Sequence, residues 1–121
     1  MMLLWVALAG SAGAVARFVL DGVIRSRVAS PIPWSTITIN LTGSLLLGVL
    51  AGLVLFHGTP TPIQTVLGVG FCGGYTTFST ASYETVRLIQ QQRYRAATVS
   101  ALGTLALCVA AGAAGLALAA W

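Results

Sequence analysis

Five hydroxyl side chains, Thr76, Thr77, Ser79, Thr80 and Ser82, surround Phe78 in the stretch GVGFCGGYTTFSTAS, Gly68 to Ser82. A hydroxyl can rotate its donor toward an anion. An aromatic ring offers an electropositive edge. Together they could carry a small anion without any covalent step. No acid lies mid-segment to draw in a cation, and no nucleophile, base or phosphate cradle points to enzymology. Asn40, Ser44, Gly48 and Gly52 recur every four residues in a second segment, and Ser100, Thr104, Cys108 and Gly112 repeat the pattern in a third. These stripes read first as helix packing, because small residues let helices approach. Asn40 differs, since its amide must find partners in an apolar setting.

The six residues from Gly68 to Gly73 also read G-x-G-x-x-G. A dinucleotide fingerprint must follow a strand, open a helix and be trailed by a ribose-binding acid. Here the surroundings are apolar on both sides, and Glu84 comes too early. The fingerprint therefore fails. The physical alternative is a broken helix. Gly70, Gly73 and Gly74 permit backbone conformations closed to other residues, and freed backbone groups at membrane depth need protein, a cavity or an ion. Broken helices offer carbonyls to cations and N–H groups to anions.

The elements that position these groups follow from composition. The chain has 121 residues, 57% hydrophobic and 7% charged, with mean hydropathy +0.92. A soluble domain carries about a quarter charged residues, so a bilayer is the expected solvent. A spanning helix needs about 20 mostly apolar residues, and four such segments fit: Met2 to Leu20, Trp34 to Phe56 after the start signal Pro31-Ile-Pro33, Ile63 to Ile89, and Ala96 to Trp121. The connections Asp21–Pro33, His57–Pro62 and Gln90–Arg95 are short. The expected fold is an all-α membrane protein, one four-helix domain over residues 1–121 with a glycine-broken third helix. Ala14-Val-Ala16 resembles a signal cleavage site, but the positive leading region is missing and three more apolar segments follow. Cys72 and Cys108 lie in apolar segments without metal-ligand spacing and read as small buried hydrophobes.

All six basic residues are arginines: Arg17, Arg25, Arg27, Arg87, Arg93 and Arg95. Each falls in or near the first or third connection, so that side is expected to be cytoplasmic and both termini outside. The net charge of +4 is explained by this asymmetry and needs no nucleic acid. Arg17 stands four residues before Asp21, and the two could pair on one helix face at a vestibule.

Three ordered motifs then resemble the Fluc/CrcB family of fluoride channels over essentially the whole length. They are Gly10-Ser-Ala-Gly13-Ala14-Val-Ala-Arg17-Phe18, Asn40-Leu-Thr42-Gly43-Ser44 with Gly48, and Gly70-Phe-Cys-Gly73-Gly74-Tyr-Thr76-Thr77-Phe78-Ser79-Thr80. The resemblance implies a passive, fluoride-selective channel in the cell membrane that exports cytoplasmic fluoride and so reduces its toxicity. It implies a dimer of oppositely inserted subunits, with pores along the interface and a structural Na+ at the centre. Carried onto this chain, the sodium carbonyls belong to Gly73 and Thr76 and the pore asparagine is Asn40. The pore ring is Phe78, and Ser79 and Thr80 provide the polar track. Ser44, Ser100 and Thr104 are further pore candidates, and Arg17 matches a vestibule arginine.

Two features depart from the family pattern. The motif usually continues T-T-F-S-T-F, whereas Ala81 stands here for the second phenylalanine. The arginine asymmetry is also strong for a chain expected to insert both ways. Some family members form heterodimers of paired paralogues, and the two departures imply that this chain is one half of such a pair. The rival reading is a small multidrug-resistance-type transporter of four spans, which needs a membrane-embedded acid. Asp21 and Glu84 both lie near segment ends. A purely structural four-helix subunit is the other rival, and it would not need the broken helix.

Overall fold

The computed structural model describes residues 1–30 and 32–120, and these are helical apart from short connections. Pro31 of the start signal and Trp121 at the end of the fourth expected span lie outside the described residues. Helix α1 (Met2–Arg27) and helix α2 (Trp34–His57) come first. The third span is a chain of pieces: α3 (Thr61–Gln64), a π-helical stretch (Thr65–Cys72), α4 (Gly73–Tyr75) and, after a break, α5 (Phe78–Gln90). Helix α6 (Tyr94–Ala119) closes the bundle. Among the described residues, α1, α2 and α6 are long and apolar enough to cross a membrane. The protein is a multi-pass membrane protein, and large apolar residues such as Leu3 (82% exposed) and Phe18 (80% exposed) cover its outside.

Helix α1 runs one to two turns beyond the expected end at Leu20, because Asp21 and Arg25 pair across one turn. Acid first and arginine four residues later is the favourable order. Helix α2 ends where Gly58 takes a left-handed conformation (φ 65°) and its N–H reaches the Leu53 carbonyl. That conformation costs a glycine little. Helix α6 starts two residues before the expected Ala96, after a turn in which the Arg93 N–H bonds the Leu88 carbonyl at 2.8 Å.

The glycines set how closely the spans approach. A Cβ on Gly74 would land on the Gly10 carbonyl oxygen, and one on Gly13 would land on the Phe71 carbonyl oxygen. Helix α1 therefore lies directly against the π-helical stretch and α4. Gly48 meets the Gly112 carbonyl in the same way, and Gly115 meets that of Leu45, joining α2 to α6. The stripes of small residues thus serve packing, as their spacing suggested.

The expectation that glycines unwind the third helix is corrected. Gly73 has helical angles (φ −62°, ψ −39°), and the only left-handed glycine among the described residues is Gly58. The break falls at Thr76 (φ −81°, ψ 160°) and Thr77 (φ −145°, ψ 116°), both extended. β-Branched side chains suit extended backbone, whereas Gly70 and Gly74 are packed against α1.

Candidate functional site

The break leaves backbone groups that need partners. Asn40 on α2 supplies two: its Nδ2 donates to the Thr77 carbonyl at 2.9 Å, and its Oδ1 accepts from the Thr77 N–H at 2.8 Å. The side chain thus acts as a short piece of backbone closing the gap between α4 and α5. The Thr77 hydroxyl then caps α5 by accepting from the Thr80 N–H at 3.1 Å.

These bonds decide which carbonyls are left over. In an unbroken helix the Thr77 N–H would go to Gly73 and the Thr80 N–H to Thr76. Both are diverted, to Asn40 and to Thr77 Oγ1. The carbonyls of Gly73 and Thr76 lose their helical donors at membrane depth, where an unsatisfied group costs several kcal/mol. They are the two carbonyls the family resemblance nominates for sodium.

Beside the break lies a groove of about 680 Å³, open on one side. It gathers Asn40, Ser44, Gly73, Thr76, Phe78, Ser100 and Thr104 from four elements. Among the described residues the hydroxyls of Ser44, Ser100 and Thr104 have no hydrogen-bond partner. Elsewhere the pattern is different: Thr42, Thr65 and Thr98 all return a bond to the carbonyl four residues back. Within the groove, Thr76 and Thr85 also donate to the carbonyls of Cys72 and Ala81, so the free donors include those of Ser44, Ser100 and Thr104. Phe78 is 87% exposed, with its ring at the open side. Ala81 also lines the groove, at the position of the absent second ring.

Three nominated residues are not gathered there. Ser79 and Thr80 on α5 and Arg17 on α1 are not among the residues that line the groove. The expected Arg17–Asp21 pair is corrected as well. Asp21 Oδ1 accepts from Arg25 Nε at 2.7 Å and from the Ser35 hydroxyl.

Sequence reading missed how that end is tied together. Arg25 also reaches Glu84 Oε2 at 3.1 Å, and Glu84 Oε1 accepts from Thr36. Both acids of the chain are thus committed to one arginine and two hydroxyls. The network joins α1, the start of α2 and the middle of α5, so it holds α5 at its centre as Asn40 holds the residue that starts it. The available signal was the rarity of acids in so apolar a chain. No mid-membrane acid of the kind a cation-coupled transporter requires stands in the groove. Replacing Glu84 with Gln is expected to destabilise the protein by about 1.5–3 kcal/mol, the range for a hydrogen bond to a charged group. A lower thermal midpoint in detergent checks this, with Ser26→Ala on the same side as an unaffected control.

Comparison with known proteins agrees with this architecture. A family model described as CrcB-like protein, Camphor Resistance (CrcB), matches residues 4–116. A protein of Leifsonia xyli subsp. xyli named Fluoride-specific ion channel FluC 1 is 56% identical over 118 residues, spanning 98% of this chain and 85% of its own. A protein of Cutibacterium acnes named Fluoride-specific ion channel FluC 2 is 48% identical over 119 residues, spanning 98% of this chain and 97% of its own. One from Magnetococcus marinus, named Fluoride-specific ion channel FluC, is 38% identical over 117 residues. Likeness of this extent, across the break, the groove and all the helices that build them, makes the chain a member of the CrcB-like family.

Proposed function

We propose that this chain is a subunit of a passive, fluoride-selective channel and not an enzyme. The names of the relatives, fluoride-specific ion channels, support the ion. The observation that carries the mechanism is the Asn40-closed break, which diverts the helical donors of the Gly73 and Thr76 carbonyls beside a groove that holds the unpartnered hydroxyls of Ser44, Ser100 and Thr104.

Fluoride is the anion of a weak acid. The neutral acid crosses membranes, dissociates in a less acidic cytoplasm and is trapped. A narrow donor-lined path lets the anion leave down its gradient. Free hydroxyls of Ser44, Ser100 and Thr104, the second amide N–H of Asn40 and the edge of Phe78 replace its water shell. Chloride is larger and fits such a path poorly.

The groove is open on one side, so a second subunit in inverted orientation completes the path. Ser79 and Thr80 do not line this groove and serve the path where the partner meets α5. Arg17 attracts the anion at a vestibule. The carbonyls of Gly73 and Thr76 fit a structural Na+: they are neutral oxygen donors whose helical partners are diverted. Hard cations take several oxygens, so the same pair from the partner is required. The partner is a second copy or a paralogue of opposite charge bias, and the arginine asymmetry favours the paralogue.

Expression in bacteria that lack their own fluoride exporter tests the reading. Restored growth in millimolar fluoride, with or without a co-expressed paralogue, supports it. Unchanged sensitivity in both cases, with the protein present in the membrane, contradicts it. The Ala81→Phe variant is expected to raise fluoride flux up to about tenfold, since a favourable ring contact contributes about 0.5–1.5 kcal/mol. Initial efflux rates from vesicles of equal protein content check this.

A further inference from the structure

We propose that a pocket at the arginine-bearing end of the bundle binds the phosphate-bearing headgroup of an anionic phospholipid. The inference is independent of the fluoride reading. It starts from a charge imbalance. The chain has six arginines and two acids, and both acids are committed to Arg25. Among the described residues Arg87 has no carboxylate partner.

Arg87 lies in the last turn of α5. It lines a cavity of about 240 Å³ between the end of α1, the loop into α2, and α5. Arg25 lines the same cavity, but its Nε and one Nη are held by Asp21 and Glu84, so Arg87 supplies the free guanidinium. A guanidinium matches phosphate oxygens with paired hydrogen bonds. Glu84 is also in the wall, but its two oxygens already accept from Thr36 and Arg25.

The rest of the wall favours a lipid over free phosphate. Ile24, Val28, Ile32 and Leu88 supply apolar surface to the same wall. Free phosphate has nothing to place there, whereas a phospholipid carries glycerol and acyl carbons directly below its phosphate. Trp34 also lines the cavity and is 43% exposed. Tryptophan concentrates at the headgroup level, which puts the cavity mouth at the depth of lipid phosphates. Basic pockets between spans on the cytoplasmic side take anionic headgroups, and the arginine distribution places this end there.

The test is native mass spectrometry of the purified full-length protein, titrated with phosphatidylglycerol or phosphatidylcholine. The account expects phosphatidylglycerol to bind more tightly. Arg87→Gln should weaken it about tenfold, the loss of one charge-assisted phosphate contact. Arg87 is exposed and unpaired, so that variant should keep its thermal midpoint. The double variant Arg93→Gln, Arg95→Gln removes two charges from the neighbouring turn and should change binding less than twofold. The proposal is overturned if the two lipids bind alike, or if the double variant weakens binding as much as Arg87→Gln. It is overturned too if millimolar inorganic phosphate displaces the lipid from wild type, which would make the pocket a free-phosphate site.

Discussion

Replacing Asn40 with Ala should expose the Thr77 amide to exchange and stop fluoride efflux. The substitution removes both bonds that close the break and leaves the Thr77 N–H and C=O without partners. A buried unsatisfied group costs about 1–3 kcal/mol each, and more where no water reaches. Hydrogen exchange at Thr77 should therefore accelerate at least about tenfold, since 1.4 kcal/mol is one decade. Efflux should fall by a similar factor or more, because the carbonyls of Gly73 and Thr76 are held in place by the same closure. Asn40→Ala with normal protection at Thr77 would show that the break is closed by something else. Normal protection without efflux would separate a pore role for the amide from its structural one.

Gly74→Ala is the second large effect expected. Its Cβ would meet the Gly10 carbonyl, a backbone atom that no rotamer change can move aside. Helix α1 would have to shift away from α4. Overpacking of this kind typically costs about 1–3 kcal/mol, occasionally more. Gly48→Ala meets the Gly112 carbonyl and should behave likewise at the α2–α6 contact. Gly22 and Gly103 are the controls: a Cβ there has nothing within 4 Å. Alanine at those helical positions should be neutral or stabilising by up to about 1 kcal/mol. Thermal unfolding in detergent of the four variants checks the contrast. Equal midpoints for all four would show that close helix approach is not what these glycines provide.

The glycines also show how far residue types alone can be read. Their presence in an apolar span marked a special segment, and the special segment is there. Glycine, however, has two uses, unusual backbone angles and close approach, and only the neighbouring helix decides between them. With α1 lying on Gly70 and Gly74, close approach wins, and the extended residues are Thr76 and Thr77. The same limit applies to Ser79 and Thr80. Which way they face depends on the rotation of α5 after the break, and that rotation comes from Asn40 and the Glu84 network, both distant in sequence. Asn40, Ser44, Ser100 and Thr104 were legible because α2 and α6 are regular and the four-residue spacing carries over directly. Helix α1 outruns the apolar segment that ends at Leu20. Asp21 and Arg25 pair along the helix and extend it.

Two features of this chain bear on the same question of assembly. Ala81 stands in the groove, and the arginines lie together at one end. The proposed pairing with a complementary partner rests on these two features.

Fluoride release from liposomes containing the purified chain, with chloride release measured in parallel, tests the central claim most directly. The account expects fluoride to leave and chloride to stay, either with this chain alone or once an oppositely biased paralogue is added. Release only after that addition identifies a heterodimer. Chloride leaving as fast as fluoride, or no fluoride release under either condition, would contradict the account.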